Sequence, residues 1–194
     1  MLSVLLTSLV ACTSPKLSPE DSLISVIIER AQISDDSKTF HLSAKLYSKL
    51  VELQPDNMSN HIGFIRSVTN INDVNALKNY TKLSNNSRFL SDEEFVEFLV
   101  TSLLYHNLND EAYELLNRTK NYNLAGTAIL RLRGAVNINQ GQYDRAEANY
   151  LDCLASKLNI QPCLSDYQKL LSNTHQTSKL LELERKYKIL NKMK

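Results

Sequence analysis

The residues of this chain with chemistry to offer are three cysteines, four histidines and two carboxylate runs. His41, His61, His106 and His175 stand far apart, and metal-binding histidines come in short helix- or loop-spaced pairs. No HExxH, CxxC or GxSxG run is present, so neither a zinc site nor an elbow-mounted nucleophile is expected. Asp35-Asp36 and Asp92-Glu93-Glu94 are neighbours along the chain, which does not set two carboxylates on opposite sides of a substrate. They read as helix caps and turns instead. Four glycines leave nothing from which to build a phosphate-cradling loop. The expectation is a protein with no catalytic residues, no metal and no cofactor, in which the cysteines carry what chemistry there is.

The elements that hold these residues are helical. The chain has 194 residues, 43% apolar and 22% charged, with 22 basic against 21 acidic side chains. A formal charge of +1 lacks the basic excess of a nucleic-acid binder. Leucine dominates, Gly and Pro number four each, and no long β-branched alternation occurs, which predicts an all-α chain.

Met1 to Val10 form an apolar stretch followed at once by Ala11 and Cys12. Spanning a bilayer takes ~20 apolar residues, so this run is too short and fits the h-region of a secretory signal. No Lys or Arg precedes it, although such signals carry a positive start. Leu9-Val10-Ala11-Cys12 resembles the bacterial lipobox, in which the signal is cut before the Cys and that Cys is lipidated. The resemblance implies a signal peptide over 1–11, lipidation at Cys12 and a tether over 12–19. Thr13, where an Asp would retain the protein in the inner membrane, implies an outer-membrane lipoprotein facing the periplasm. The alternative is a buried N-terminal helix with an inert Cys. In an oxidising periplasm Cys153 and Cys163 could pair, closing a loop of about 11 residues for roughly 3 kcal/mol. Otherwise they are two separate small buried thiols.

The rest of the chain repeats. Thr127 to Ile160 carries Gly134 in the eighth place, Gly141 and Tyr143 at a turn, Ala146 in the twentieth place and Tyr150 in the twenty-fourth. Ile24 to Asn57 carries Ala31, Phe40, Ser43, Tyr47 and Pro55 in corresponding places. A unit starting at Asn57 has Ala76 and Tyr80 in the second half but Phe64 in the small eighth slot, and Glu93 to Gly126 has Ala112 and Leu116. Unit starts at about residues 24, 57, 93 and 127 recur every ~34 residues. The pattern resembles the tetratricopeptide repeat (TPR), which implies a TPR-like α-solenoid of about four to five antiparallel helix pairs, with the array over 20–160. Ser18-Pro19-Glu20-Asp21 reads as the cap of its first helix and Ser91-Asp92-Glu93-Glu94 as a capping box. Asparagines, Asn72 and Asn107 among them, stand in for the scarce Gly at turns. Residues 161–194 read as a degenerate pair whose last helix, with Leu180, Leu183, Tyr187 and Leu190 in one stripe and Lys179 among its polar residues, caps the array.

In TPR proteins the first helices line a binding groove. Carried onto this sequence, the second, fifth, ninth, twelfth and thirteenth places of each unit include Gln32, His61, Ile65, Glu97, Thr101, Tyr105, Arg131, Ile138 and Asn139. That mixed lining suits an extended peptide or amphipathic helix, and so a protein partner with no nucleic acid involved. A TPR array behind a lipobox is similar to the TPR lipoproteins of tight-adherence pilus systems, of the TadD type. The similarity implies a scaffold aiding assembly or localisation of an outer-membrane secretin, attached to the membrane through its lipid. The other expectation is a TPR adaptor for periplasmic cell-wall enzymes.

Overall fold

A computed structural model describes residues 18–83, 87–122, 124, 126–156 and 160–192. The signal, Cys12 and most of the tether lie outside the described residues. The described chain holds ten α-helices and no strand: α1 (Pro19–Asp36), α2 (Phe40–Leu53), α3 (Met58–Asn70), α4 (Val74–Leu83), α5 (Glu93–Tyr105), α6 (Asn109–Arg118), α7 (Thr127–Asn139), α8 (Tyr143–Ala155), α9 (Gln161–Asn173) and α10 (Thr177–Lys192). Two short 3₁₀ segments, Ser87–Ser91 and Thr119–Tyr122, precede α5 and follow α6. Consecutive helices form the pairs α1–α2, α3–α4, α5–α6, α7–α8 and α9–α10.

Each pair turns in the same way. Lys38, Asn72, Asn107, Gly141 and His175 all have positive φ, 58°, 58°, 57°, 69° and 58° in turn. They lie 34 residues apart, with one interval of 35 between Asn72 and Asn107. The next residue then donates its N–H back five residues: Thr39 to Ser34, Asp73 to Val68, Leu108 to Leu103, Gln142 to Asn137 and Gln176 to Leu171, all at 2.8–2.9 Å. This is a Schellman ending, in which one left-handed residue lets the chain recover the last carbonyls of a helix. Every accepting residue, Ser34, Val68, Leu103, Asn137 and Leu171, is buried, so this bond helps to pair the carbonyls at packed helix ends.

These turns fix the register and correct it in the second unit. The second unit begins at Met58, one residue later than the sequence suggests, which puts Ile65 rather than Phe64 in the eighth place and Leu77 and Thr81 in the twentieth and twenty-fourth. The pair after residue 160 begins at Gln161 and turns at His175, in step with the others. Capping matches at α1, where the Ser18 hydroxyl accepts from the Asp21 N–H at 3.0 Å. At α5 the cap is Asp92, accepting from Phe95 N–H at 2.9 Å, while Ser91 belongs to the preceding 3₁₀ segment.

The core runs between the helix layers. Ala31, Tyr47 and Leu50 pack at the first pair, and Ile65, Leu77, Leu99, Val100, Ala112, Leu115 and Ile129 continue it. Ala146, Tyr150, Leu164, Leu171, Leu183 and Tyr187 close the other end. On α10 Leu183 and Tyr187 are buried and Leu180 partly so, whereas Leu181 is 50% exposed. Two tyrosine rings pack directly against glycine. A Cβ on Gly134 would come within 2.6 Å of the Tyr150 ring, and one on Gly63 would meet the Tyr47 ring, so helix approach at both crossings depends on the missing methyl. Lys179 is not a free surface lysine: it bridges α8 and α10 through Glu147 at 2.8 Å. Gly134→Leu should therefore lower the unfolding free energy by ~1–3 kcal/mol, read by urea denaturation. Lys45→Ala, on an exposed position of α2, should stay within about 0.5 kcal/mol of the parent. Equal midpoints for the two variants would show that Gly134 does not face Tyr150.

Candidate functional site

The first helices of successive pairs, α3, α5, α7 and α9, pack side by side. Their outward residues bridge one unit to the next. Arg66 on α3 donates to Asp35 on α1 at 2.9 Å, and Arg131 on α7 lies 4.0 Å from Glu97 on α5. Gln32, Thr101 and Tyr105 are exposed on this face, and Glu97, Arg131 and Ile138 are half-buried. Tyr105 stands 75% exposed, its ring edge-on to His106 at 5.0 Å, with no place in the core. Ile138 borders an open cleft of about 360 Å³ between α7 and α9, with Ala135, Tyr143, Asp166 and Lys169. Asn139 reaches that cleft too, but its amide donates to Asn109 at 2.7 Å and ties two turns together.

His61 and Ile65 do not belong to the face. They are 2% and 0% exposed, and the one-residue shift of the second unit is the reason. Ser59, Ile62, Arg66, Thr69 and Asn70 take the places assigned from the sequence to Met58, His61, Ile65, Val68 and Thr69. His61 is a structural residue instead. Its Nε2 lies 2.9 Å from the Pro55 carbonyl and its Nδ1 2.8 Å from the Tyr80 hydroxyl. A carbonyl can only accept, so Nε2 carries the proton and Tyr80 donates to Nδ1. Burial drives the imidazole below its ordinary range, opposed in part by the Pro55 bond. Burial pushes the Tyr80 phenol up. The Phe89 ring packs on the imidazole at 4.8 Å.

At the far end Cys153 of α8 and Cys163 of α9 are bonded to each other, with Cα atoms 6.3 Å apart. Both sulfurs lie against the Thr127 carbonyl oxygen at the start of α7, at 3.6 and 3.7 Å. The bond joins the fourth pair to the fifth. Glu147 reinforces the same joint, accepting from Tyr167 of α9 at 2.7 Å and from Lys179 of α10. Burial alone would raise the Glu147 carboxyl, but the Lys179 and Tyr167 hydrogen bonds and the Lys179 charge outweigh it and hold the carboxyl below its usual range. Among the described residues no three His, Cys, Asp or Glu side chains gather as metal ligands, and no helix is long and apolar enough to cross a membrane.

No protein-family profile matches this sequence, and no curated protein sequence matches it significantly. Solved structures do match. A crystal structure of MamA is 15% identical and superposes with a TM-score of 0.63 over 84% of this chain and 88% of that one. A second MamA crystal structure is 16% identical, with a TM-score of 0.58 over 80% and 91%. The crystal structure of TTC0263, a thermophilic TPR protein of Thermus thermophilus, is 15% identical, with a TM-score of 0.56 over 84% and 89%. The chain thus has an all-α, TPR-like solenoid fold.

The buried imidazole gives a pH dependence. Its folded pKa lies below the unfolded value, so the unfolded chain takes up the proton first as pH falls. Stability is full above the unfolded pKa of ~6.5 and declines as pH drops through it toward the folded value. Unfolding free energies measured between pH 7 and 5 should fall for the parent, and His61→Phe should remove that part of the slope whatever its absolute stability. An unchanged slope would show that His61 is not the group responsible.

Proposed function

We propose that this TPR-like chain is a non-catalytic scaffold, held by a lipid on Cys12 at the periplasmic side of the outer membrane. There it assists assembly or localisation of a pilus or secretion machine, with the secretin as its protein partner. The anchor rests on Leu9-Val10-Ala11-Cys12 and the short apolar run before it. One acyl chain holds a protein only reversibly, while the two or three of a bacterial lipoprotein hold it firmly, so the lipid would decide location.

The observation that carries the binding role is Tyr105. An aromatic ring 75% exposed on the first-helix face contributes little to the fold, while such rings dominate binding energy where a partner covers them. Gln32 and Thr101 are exposed on the same face, and Glu97 and Arg131 add half-buried polar groups, a lining that takes up an extended or helical segment by side-chain pockets.

Co-purification from detergent-solubilised membranes tests both parts. The parent should fractionate with outer membranes and bring the secretin with it. Tyr105→Ala should reduce the secretin recovered by about tenfold, as loss of a hot-spot contact does, at an unchanged unfolding midpoint. Cys12→Ser should leave the outer-membrane fraction with its body still folded. Equal secretin recovery with Tyr105→Ala would reject the face, and cytosolic parent protein still carrying residues 1–11 would reject the anchor.

A further inference from the structure

On the opposite face an ion pair joins the second helices of neighbouring pairs at two joints. Lys78 of α4 meets Glu111 of α6 at 3.0 Å, and Glu147 of α8 meets Lys179 of α10 at 2.8 Å. Both pairs link the twenty-first place of one unit to the nineteenth of the next. At the joint between α6 and α8 those places hold Tyr113 and Arg145, and the carboxylate is missing.

In its stead there is a cleft of about 320 Å³ bordered by α6, the Thr119–Tyr122 segment, α7 and α8. Lys120, Arg133 and Arg145 line it, and no Asp or Glu does. Among the described residues the Arg145 guanidinium reaches only the neutral Gln142 side chain, at 2.8 Å. The Arg133 Nε is buried without any hydrogen-bond partner, and among the described residues its guanidinium makes no ion pair. Burial pushes that guanidinium down with no nearby carboxylate to offset it. The Tyr113 phenol on the rim is held below its ordinary range by the Asn117 side chain, with the Arg145 and Lys120 charges adding to the effect. A guanidinium whose Nε is buried without an acceptor carries a desolvation cost, and an anion in the cleft would offset it. Leu116 and Val136 also line the cleft, giving it an apolar part beside the cations.

We propose that this cleft is a second binding site, separate from the first-helix face, for the carboxylate of an acidic protein segment. Arg133 presents the fork that a carboxylate fits with two parallel bonds, and Arg145 and Lys120 supply charge on either side. The Leu116 and Val136 surface suits the methylene stem of a glutamate, where a free phosphate would keep its water. The bound carboxylate does for the α6–α8 joint what Glu111 and Glu147 do for its neighbours.

Fluorescence anisotropy with the full chain tests this, using a fluorescein-labelled Glu-Glu-Leu-Glu-Leu-Glu peptide, its Gln counterpart, and inorganic phosphate as competitor. The acidic peptide should bind in 50 mM salt and weaken steeply toward 500 mM, the Gln peptide should not bind, and equimolar phosphate should not displace it. Arg133→Gln and Lys120→Gln should each weaken binding, the first about tenfold or more. Lys120 is exposed, so its removal leaves the fold intact and keeps the test valid should Arg133→Gln unfold. Lys45→Gln should leave affinity for the acidic peptide unchanged, and so should Tyr105→Ala, whose effect is confined to the first-helix face, which separates this site from general charge and from that face. No binding, binding indifferent to Arg133 and Lys120, or displacement by equimolar phosphate would each overturn the proposal.

Discussion

The left-handed turn residue is the constraint on which this architecture depends. One residue at positive φ lets a helix of L-residues reverse within three residues and keep its last carbonyls bonded. Here the same solution occurs in each of the five described pairs, at Lys38, Asn72, Asn107, Gly141 and His175. Because the turn geometry is constant, the second helix of every pair starts two residues later, at Phe40, Val74, Asn109, Tyr143 and Thr177. That phase decides which side chains meet inside a pair and which look outward. Gly134 falls opposite Tyr150 and Arg66 beside Asp35 as consequences of it.

Much of this was legible in the sequence, because small residues and aromatics have only one way to fit a close helix crossing. Ala31 with Tyr47, and Gly134 with Ala146 and Tyr150, gave the right phase for the first and fourth units, and all are buried together. The second unit misled for a physical reason. Tyr80 lies 33 residues beyond Tyr47 and looks like its counterpart, yet its hydroxyl serves His61, and Thr81 occupies the equivalent place. Counting from the aromatic therefore put His61 and Ile65 on the binding face, one residue out of step. Asn72 and Asn107 were readable as turn residues, since asparagine tolerates positive φ, and histidine is also enriched there, but nothing in the type of Lys38 announces it. Only its spacing does.

The joints between pairs show how one scaffold supports different chemistry at each step. One joint is covalent, between Cys153 and Cys163, and is backed by Glu147 with Tyr167 and Lys179. Others add an ion pair to the packed core, Asp35 with Arg66 or Lys78 with Glu111, of a kind worth little by itself in water. The joint between α6 and α8 has Tyr113 and Arg145 in those places, and beside it the Arg133 Nε has no hydrogen-bond partner among the described residues. A solenoid is a sum of such nearest-neighbour contacts, so a ligand completing one of them stabilises the array locally as well as binding to it.

The most direct measurement of the common turn is urea denaturation of the double variant Lys38→Gly, His175→Gly against the parent. Both side chains are exposed, and both backbones have φ of 58°. Glycine removes a left-handed penalty of roughly 1–2 kcal/mol per residue, against an added unfolded-state entropy of ~0.5–1 kcal/mol. The repeat register predicts a higher unfolding midpoint for the double variant. A lower midpoint would mean that these residues do not adopt the left-handed turn, and would contradict the five-pair register built on it.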